Sequence, residues 1–331
     1  MIVIPYLFAI LKNIIYGSSV YFTSALTGAC DVLDILALRF LLSFVVMWLL
    51  KVTGLLRINV GVRNVFTRRH RTPMIRSLII AALFEPVLYM LFETLGISMT
   101  TNVTAAIVIS LSPIAACILE VVVLKERCSF IEKAFLGVGI VGVAYVAVMT
   151  GSCGGEDNPW GILLLFLAVI SGGMFSVFSR RSSKSFAPME VTYFSCMLGA
   201  IAFNSVNIVR HIIDGTVLHY FDPYFDLGNI VGFVFLGIIS TIVATGVNNV
   251  CLSRLQVSTV SAFGGLSTVV TILIGVFIGG EQLYYYHYIG MALIAIRMIG
   301  VSLISIRRTR TALNLPLKIS DEAEMSKSDT K

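Results

Sequence analysis

Charge is what this sequence has least of. Only 13% of its 331 residues are Asp, Glu, Lys or Arg, and the mean hydropathy is +0.93. A soluble globular chain carries about a quarter charged residues. An ordinary water-soluble domain is therefore excluded, and the apolar runs that recur along almost the whole length make the solvent a bilayer. The net charge of +6 is no nucleic-acid signal, because there is no free soluble domain to display it. Ordered pairs of cysteine are also missing. Cys30, Cys117, Cys128, Cys153, Cys196 and Cys251 are scattered singly with no CxxC, which reads as small hydrophobic filler. His70, His211, His219 and His287 show no ligand spacing, so no metal site is expected. A Walker A motif, HExxH and a nucleophile elbow are all absent. No cofactor is expected, and energy has to come from a gradient or from mass action.

What is present is a series of apolar stretches, each near the 20 or so residues a transmembrane helix needs. Ten spans are predicted, over 4–25, 32–53, 74–95, 102–124, 130–150, 159–180, 188–212, 229–253, 257–280 and 286–306. Turn-rich breaks at 151–159 and 214–228 separate some of them. Asn102-Val103-Thr104 fits a glycosylation sequon but lies tight against a span end, and reads as chance. With the N-terminus placed inside, Arg210 alone among the bases falls on the outer side. Lys12, Arg39 and Arg297 fall within spans, and every other Lys and Arg falls on the inner side. The positive-inside rule then predicts two cytoplasmic termini and a multi-pass protein of the cell (plasma) membrane, with a disordered cytoplasmic tail over 307–331.

The chain repeats. Laying Ser253 over Ser98 also brings Thr259 onto Thr104, Leu266 onto Leu111, Ser267 onto Ser112 and Glu281 onto Glu126 without a gap. The span pattern agrees, five and five. Five is odd, so the second copy enters the membrane from the opposite side. The predicted fold class is thus an all-α integral membrane protein of ten transmembrane helices in two inverted-topology five-helix repeats, 1–150 and 159–306.

Several stretches then carry a resemblance: YGSSVYF (16–22), LALRFLLSF (36–44), FEPVLYMLFETLGISMTTNVTAAIVISLSPI (84–114), LKER (124–127) and LSRLQVSTVSAFGGLSTVVTILIGVFIGGE (252–281). On these the chain resembles the EamA-type transporters of the drug/metabolite transporter superfamily. The resemblance implies ten spans in two inverted repeats and export or import of small metabolites, amino acids among them, with no organic cofactor.

The polar residues inside the spans carry the functional reading. A charge at the bilayer centre costs about 2.5–3.5 kcal/mol on insertion scales, so such residues face a cavity or a partner. Glu85, Tyr89 and Glu93 are spaced to share one helix face. Pro86 removes a backbone donor and predicts a kink beside Glu85. Lys12 and Arg297 both fall near mid-depth, where the family pattern leads one to expect apolar or small residues. Two readings stand side by side. Lys12, Glu85 and Arg297 converge on a midplane site for a carboxylate-bearing cargo, with Tyr89 beside them; or Glu85 neutralises one base while the other snorkels. Glu93 reads as an outer-end gate, an interfacial residue or a partner for Arg39. Asn248, which overlays Glu93 in the repeat, is placed at the opposite end of the pathway as a gate or an interfacial amide. Pro113 and the Gly264-Gly265 pair are predicted to break their helices near the cavity, and Gly275 with Gly279 to form a packing seam.

The function expected is a secondary transporter that exports an amino acid or another small carboxylate-bearing compound by alternating access. Its partners are a small-molecule substrate and the lipid bilayer, with no nucleic acid, and homo-oligomer formation is left open. A membrane-embedded receptor or an intramembrane enzyme is the alternative. The first wants a signalling domain and the second a nucleophile with its base, and neither is found.

Overall fold

The computed structural model describes residues 4–56, 72–124, 158–183, 185–255, 263–280 and 283–293, with scattered residues of 131–149 and residues 257, 260, 295, 296, 299 and 300. Arg297 and the tail at 307–331 lie outside the described residues, as do most of the bases between spans 2 and 3.

Among the described residues the chain is helical throughout, without strands. The first two helices are α1 (Ile4–Thr27) and α2 (Val32–Val52). A third, α3 (Thr72–Ala82), runs through a π-helical turn at Leu83–Leu88 into α4 (Tyr89–Ile97). Next come α5 (Asn102–Ile109) and α6 (Ser112–Leu124), then α7 (Pro159–Ser182) and α8 (Pro188–Ile213). A short α9 (Asp222–Phe225) precedes α10 (Leu227–Val234), which passes through a second π-helical turn, Phe235–Ala244, into α11 (Thr245–Arg254). The last is α12 (Gly265–Phe277). Five continuous stretches, Val32–Val52, Arg76–Ile97, Pro159–Ser182, Pro188–Ile213 and Leu227–Arg254, are long and apolar enough to cross a membrane. Shorter apolar helices cover Asn102–Ala116 and Gly265–Phe277.

Local chemistry starts these helices where the sequence turns apolar. Asp31 caps α2 by accepting from Leu33 N. Asn158 caps α7 the same way from Trp160 N, with Pro159 in the first turn, where its missing N–H costs nothing. Glu190 reaches back to the Ala187 N–H at the start of α8. Outward, the helices present Leu7, Leu11, Val45, Trp48, Phe166, Ile170, Ile201 and Val206. That much exposed apolar surface suits lipid and not water.

Inward, packing is close. Phe40 of α2 stacks on Phe203 of α8 at 5.5 Å. Gly17 lets α1 lie directly on α12. A Cβ there would stand 2.6 Å from the Ser267 carbonyl oxygen, and Thr271 Oγ1 donates to the Gly17 carbonyl at 2.9 Å. Of the expected Gly275–Gly279 seam, Gly275 is buried in α12 and Gly279 lies just past the end of that helix.

The repeat is visible in the backbone. Under the sequence register Glu85 overlays Ser240, and the two π-helical turns, Leu83–Leu88 and Phe235–Ala244, overlie each other. Their cause differs. In the first, Pro86 cannot donate and Glu85 is extended at φ −139°, ψ 115°. In the second, Thr241 Oγ1 donates to the Leu236 carbonyl at 2.7 Å, a five-residue reach that takes the place of a regular bond. Spans 4 and 9 are interrupted as well. Ser110 and Leu111 form a turn between α5 and α6, with Pro113 in the first turn of α6. Phe263 and Gly264 form a turn before α12, which begins at Gly265.

Candidate functional site

The four interrupted spans surround one internal cavity of about 130 Å³. Lys12 and Tyr16 of α1, Arg39 of α2, Glu85, Tyr89 and Glu93 of the third span, and Ser240 and Asn248 of the eighth all line it, with Ser112 and Gly264 at the breaks. Two predicted members, Lys12 and Glu85, are thus brought to one space. The third, Arg297, lies outside the described residues.

The cations are held by the eighth span. Lys12 is 6% exposed and donates from Nζ to Asn248 Oδ1 at 2.7 Å. Arg39, 2% exposed, donates from Nε to Thr241 Oγ1 at 2.9 Å and from Nη2 to Ser240 Oγ at 3.3 Å. Tyr16 and Thr245 share a hydroxyl–hydroxyl bond at 3.2 Å. Ser43 fastens the same junction by donating to both the Arg39 and Gly237 carbonyls at 2.7 Å. Every one of these bonds crosses from the first repeat to the second, apart from the Ser43–Arg39 bond, which keeps within α2.

The carboxylates form the facing wall. Tyr89 donates to Glu93 Oε1 at 2.7 Å, one helical turn along. Among the described residues no hydrogen bond or ion pair within 4.0 Å engages Glu85.

Two expectations are corrected here. Glu93 is neither interfacial nor bonded to Arg39; it is buried, lines the cavity and takes the Tyr89 hydroxyl. Asn248 is not an interfacial amide at the far end of the pathway. It is buried in the same cavity lining as Glu93 and is the acceptor for Lys12. Both belong to the lining of one cavity.

The electrostatic outcome follows from the partners. Among the described residues Lys12 and Arg39 bond only neutral oxygens, so no short contact described offsets their positive charge. A small carboxylate entering the cavity would find two charged donors, one of them a planar fork. Glu85 and Glu93 of the third span line the same cavity.

A second polar cluster was missed by sequence reasoning. At the junction of α2 and α8, Asp34 accepts from Asn207 Nδ2 and Arg210 Nη2, each at 2.9 Å, and its Oδ1 lies 2.9 Å from His211 Nε2. Arg210 also pairs with Asp31 at 2.9 Å. His211 Nδ1 lies 2.8 Å from Thr216 Oγ1, and Tyr220 OH donates to Asn204 Oδ1 at 2.5 Å. Burial pushes the Tyr220 phenol above its ordinary range. The available signal was Asp34 itself, an acid in an apolar run with no local partner.

Known proteins place this arrangement. The description "EamA-like transporter family" matches the chain twice, over residues 3–148 and 159–306. An uncharacterized transporter of Bacillus subtilis (strain 168), YcxC, is 30% identical over 305 residues, which is 92% of this chain and 95% of that protein. An uncharacterized inner membrane transporter of Escherichia coli (strain K12), YedA, is 24% identical over 71% of this chain and 74% of its own length. One solved crystal structure superposes with a TM-score of 0.64 at 21% identity, over 92% of this chain and 98% of that one, a likeness of fold alone. With two matched halves, broken apolar spans and a charged cavity between them, the chain is a multi-pass membrane protein and belongs to the EamA-like transporter family.

Proposed function

We propose that the protein is a secondary transporter of the cell membrane that carries an amino acid or another small carboxylate-bearing metabolite through this cavity by alternating access. The observation that carries the reading is the pairing of Lys12 and Arg39 with neutral oxygens only, inside a cavity that both line. Buried cations of this kind are costly unless something negative visits them. A cargo carboxylate supplies that charge, and Glu85 on the facing wall meets whatever positive charge travels with it. The cross-repeat bonds from α1 and α2 to the eighth span are those that have to rearrange when the halves rock. Both termini are assigned to the cytoplasm from the placement of Lys and Arg, and export is the direction to test first.

The test is counterflow in proteoliposomes with labelled amino acids and organic acids, with and without a pH gradient. Saturable exchange of a carboxylate-bearing compound is expected, lost in Lys12→Gln, Glu85→Gln and Arg297→Gln while the protein remains in the membrane. Normal exchange in all three variants, or none for any compound in wild type, sinks the reading.

A further inference from the structure

Between α2 and α8 runs a groove of about 500 Å³, larger than the charged cavity and sharing no lining residue with it. Leu41 and Phe44 of α2 and Ala200, Ile201 and Ile208 of α8 form its walls. The linker that follows α8 adds Val217, Tyr220 and Phe221 at the end where the helix stops. No Lys, Arg, Asp or Glu is among the described residues that line it.

The groove opens toward lipid. Ile201 and Ile208 are 57% and 45% exposed, and with the exposed Ile212 they stand in one row along α8, on the surface that faces the bilayer. From Ala200 to His211 the groove follows α8 for about 16 Å. One leaflet, half of a hydrocarbon core about 30 Å thick, is about as deep.

The polar side chains in the lining are already spent within the protein. Asn204 Nδ2 donates to the Ala37 and Ala200 carbonyls, at 3.0 and 2.7 Å, and its Oδ1 accepts the Tyr220 proton. His211 has one ring nitrogen 2.9 Å from Asp34 Oδ1 and the other 2.8 Å from Thr216 Oγ1. These side chains leave an occupant no free proton, only spare lone pairs on the bonded Asn204–Tyr220 pair. Water filling such a groove would number on the order of ten molecules, each wanting two to four polar partners, with lipid closing the open side. The walls do not supply those partners. Hydrocarbon asks for none.

We propose that this groove is a lipid site, which takes one hydrocarbon chain of a membrane phospholipid. The glycerol end lies toward the linker, where α8 leaves the bilayer. The chain enters from the side and is chosen for its hydrocarbon, because no charged side chain lines the groove to select a headgroup. The site rests on the membrane setting and is independent of the transporter reading above. Its consequence is that the bilayer takes part in the packing of α2, from the first repeat, against α8, from the second.

The test uses tryptophan fluorescence of the full-length protein in vesicles. Trp48 and Trp160, the two native tryptophans, are both exposed and are replaced by Phe. Leu41→Trp then reports from the groove wall, and Phe221→Trp from the linker end, where the side chain is exposed and tolerates the change. Both reporters should lose emission in vesicles of phospholipid brominated on its acyl chains, and both should resist aqueous iodide. Bromine near the glycerol should quench Phe221→Trp more than bromine near the chain end. Brominated phosphatidylcholine and phosphatidylglycerol should quench alike. Emission that survives brominated lipid and falls with iodide means a wet groove and overturns the site. Emission that survives both means that protein, such as a second copy, covers it, and overturns the site as well. Quenching by phosphatidylglycerol alone overturns selection by the chain. Should Leu41→Trp fail to reach the membrane, the same outcomes in Phe221→Trp decide.

Discussion

Two clusters of charge sit between these helices, and they are finished differently. Around Asp34 every charge has a charged or amide partner within 2.9 Å, and the group ties the start of α2 to the end of α8. Around Glu85 the cations hold only neutral oxygens and one carboxyl is engaged by nothing described. A closed set of ion pairs is a fastening. A set left open inside a cavity is a place for something else to complete. The partners of each charge separate the two cases.

Variants can break that contrast. The largest effect is expected from Arg39→Gln, which removes a charge from the open set. Exchange of cargo in proteoliposomes should fall by about a hundredfold, with protein abundance in the membrane unchanged. Next comes Asp34→Asn in the closed set. It leaves His211 without its carboxylate and Arg210 with Asp31 alone, and should cost about 2 kcal/mol on thermal unfolding in detergent, while the exchange rate per folded molecule stays at the wild-type value. Asn248→Ala strips Lys12 of its acceptor without touching charge. It should shift the apparent cargo affinity by about tenfold and cost about 1 kcal/mol of stability, because a buried ammonium loses its hydrogen bond. The smallest is Tyr220→Phe, which deletes one bond to Asn204 at the rim of the closed set and should cost about 1 kcal/mol of stability, with no change in exchange. If Asp34→Asn abolishes exchange in folded protein, or Arg39→Gln only destabilises, the contrast is wrong.

The sequence carried the bilayer, the spans and the prominence of Glu85, because hydropathy and a carboxylate beside proline are local signals. It carried the repeat because five matched positions needed no gap. It could not carry the partners. Lys12 finds Asn248, and Arg39 finds Ser240 and Thr241, only when the first two helices fold against the eighth span across the repeat boundary. That Glu93 and Asn248 are buried in one cavity lining was not legible either, because position along the chain says nothing of which helices close over a residue. Asp34 hid in an apolar run, with its partners in a helix far along the chain. Ser195, buried in α8 with no hydrogen-bond partner among the described residues, gave no signal whatever, since nothing in a sequence tells which helical serine fails to bond its own backbone.

The π-helical turns set something like a reading frame. A π-turn carries an extra residue, and each residue added to or removed from a helix rotates everything beyond it by about 100°. The third and eighth spans both line the cavity around such a break, the kink at Glu85 and the π-helical stretch Phe235–Ala244. Losing one residue from either turn would leave a helix of good length and hydropathy that still inserts. Its polar face, with Glu93 or Asn248 on it, would point at a neighbour or at lipid. In such a frame shift, composition, span count and topology would all survive, and the cavity alone would vanish.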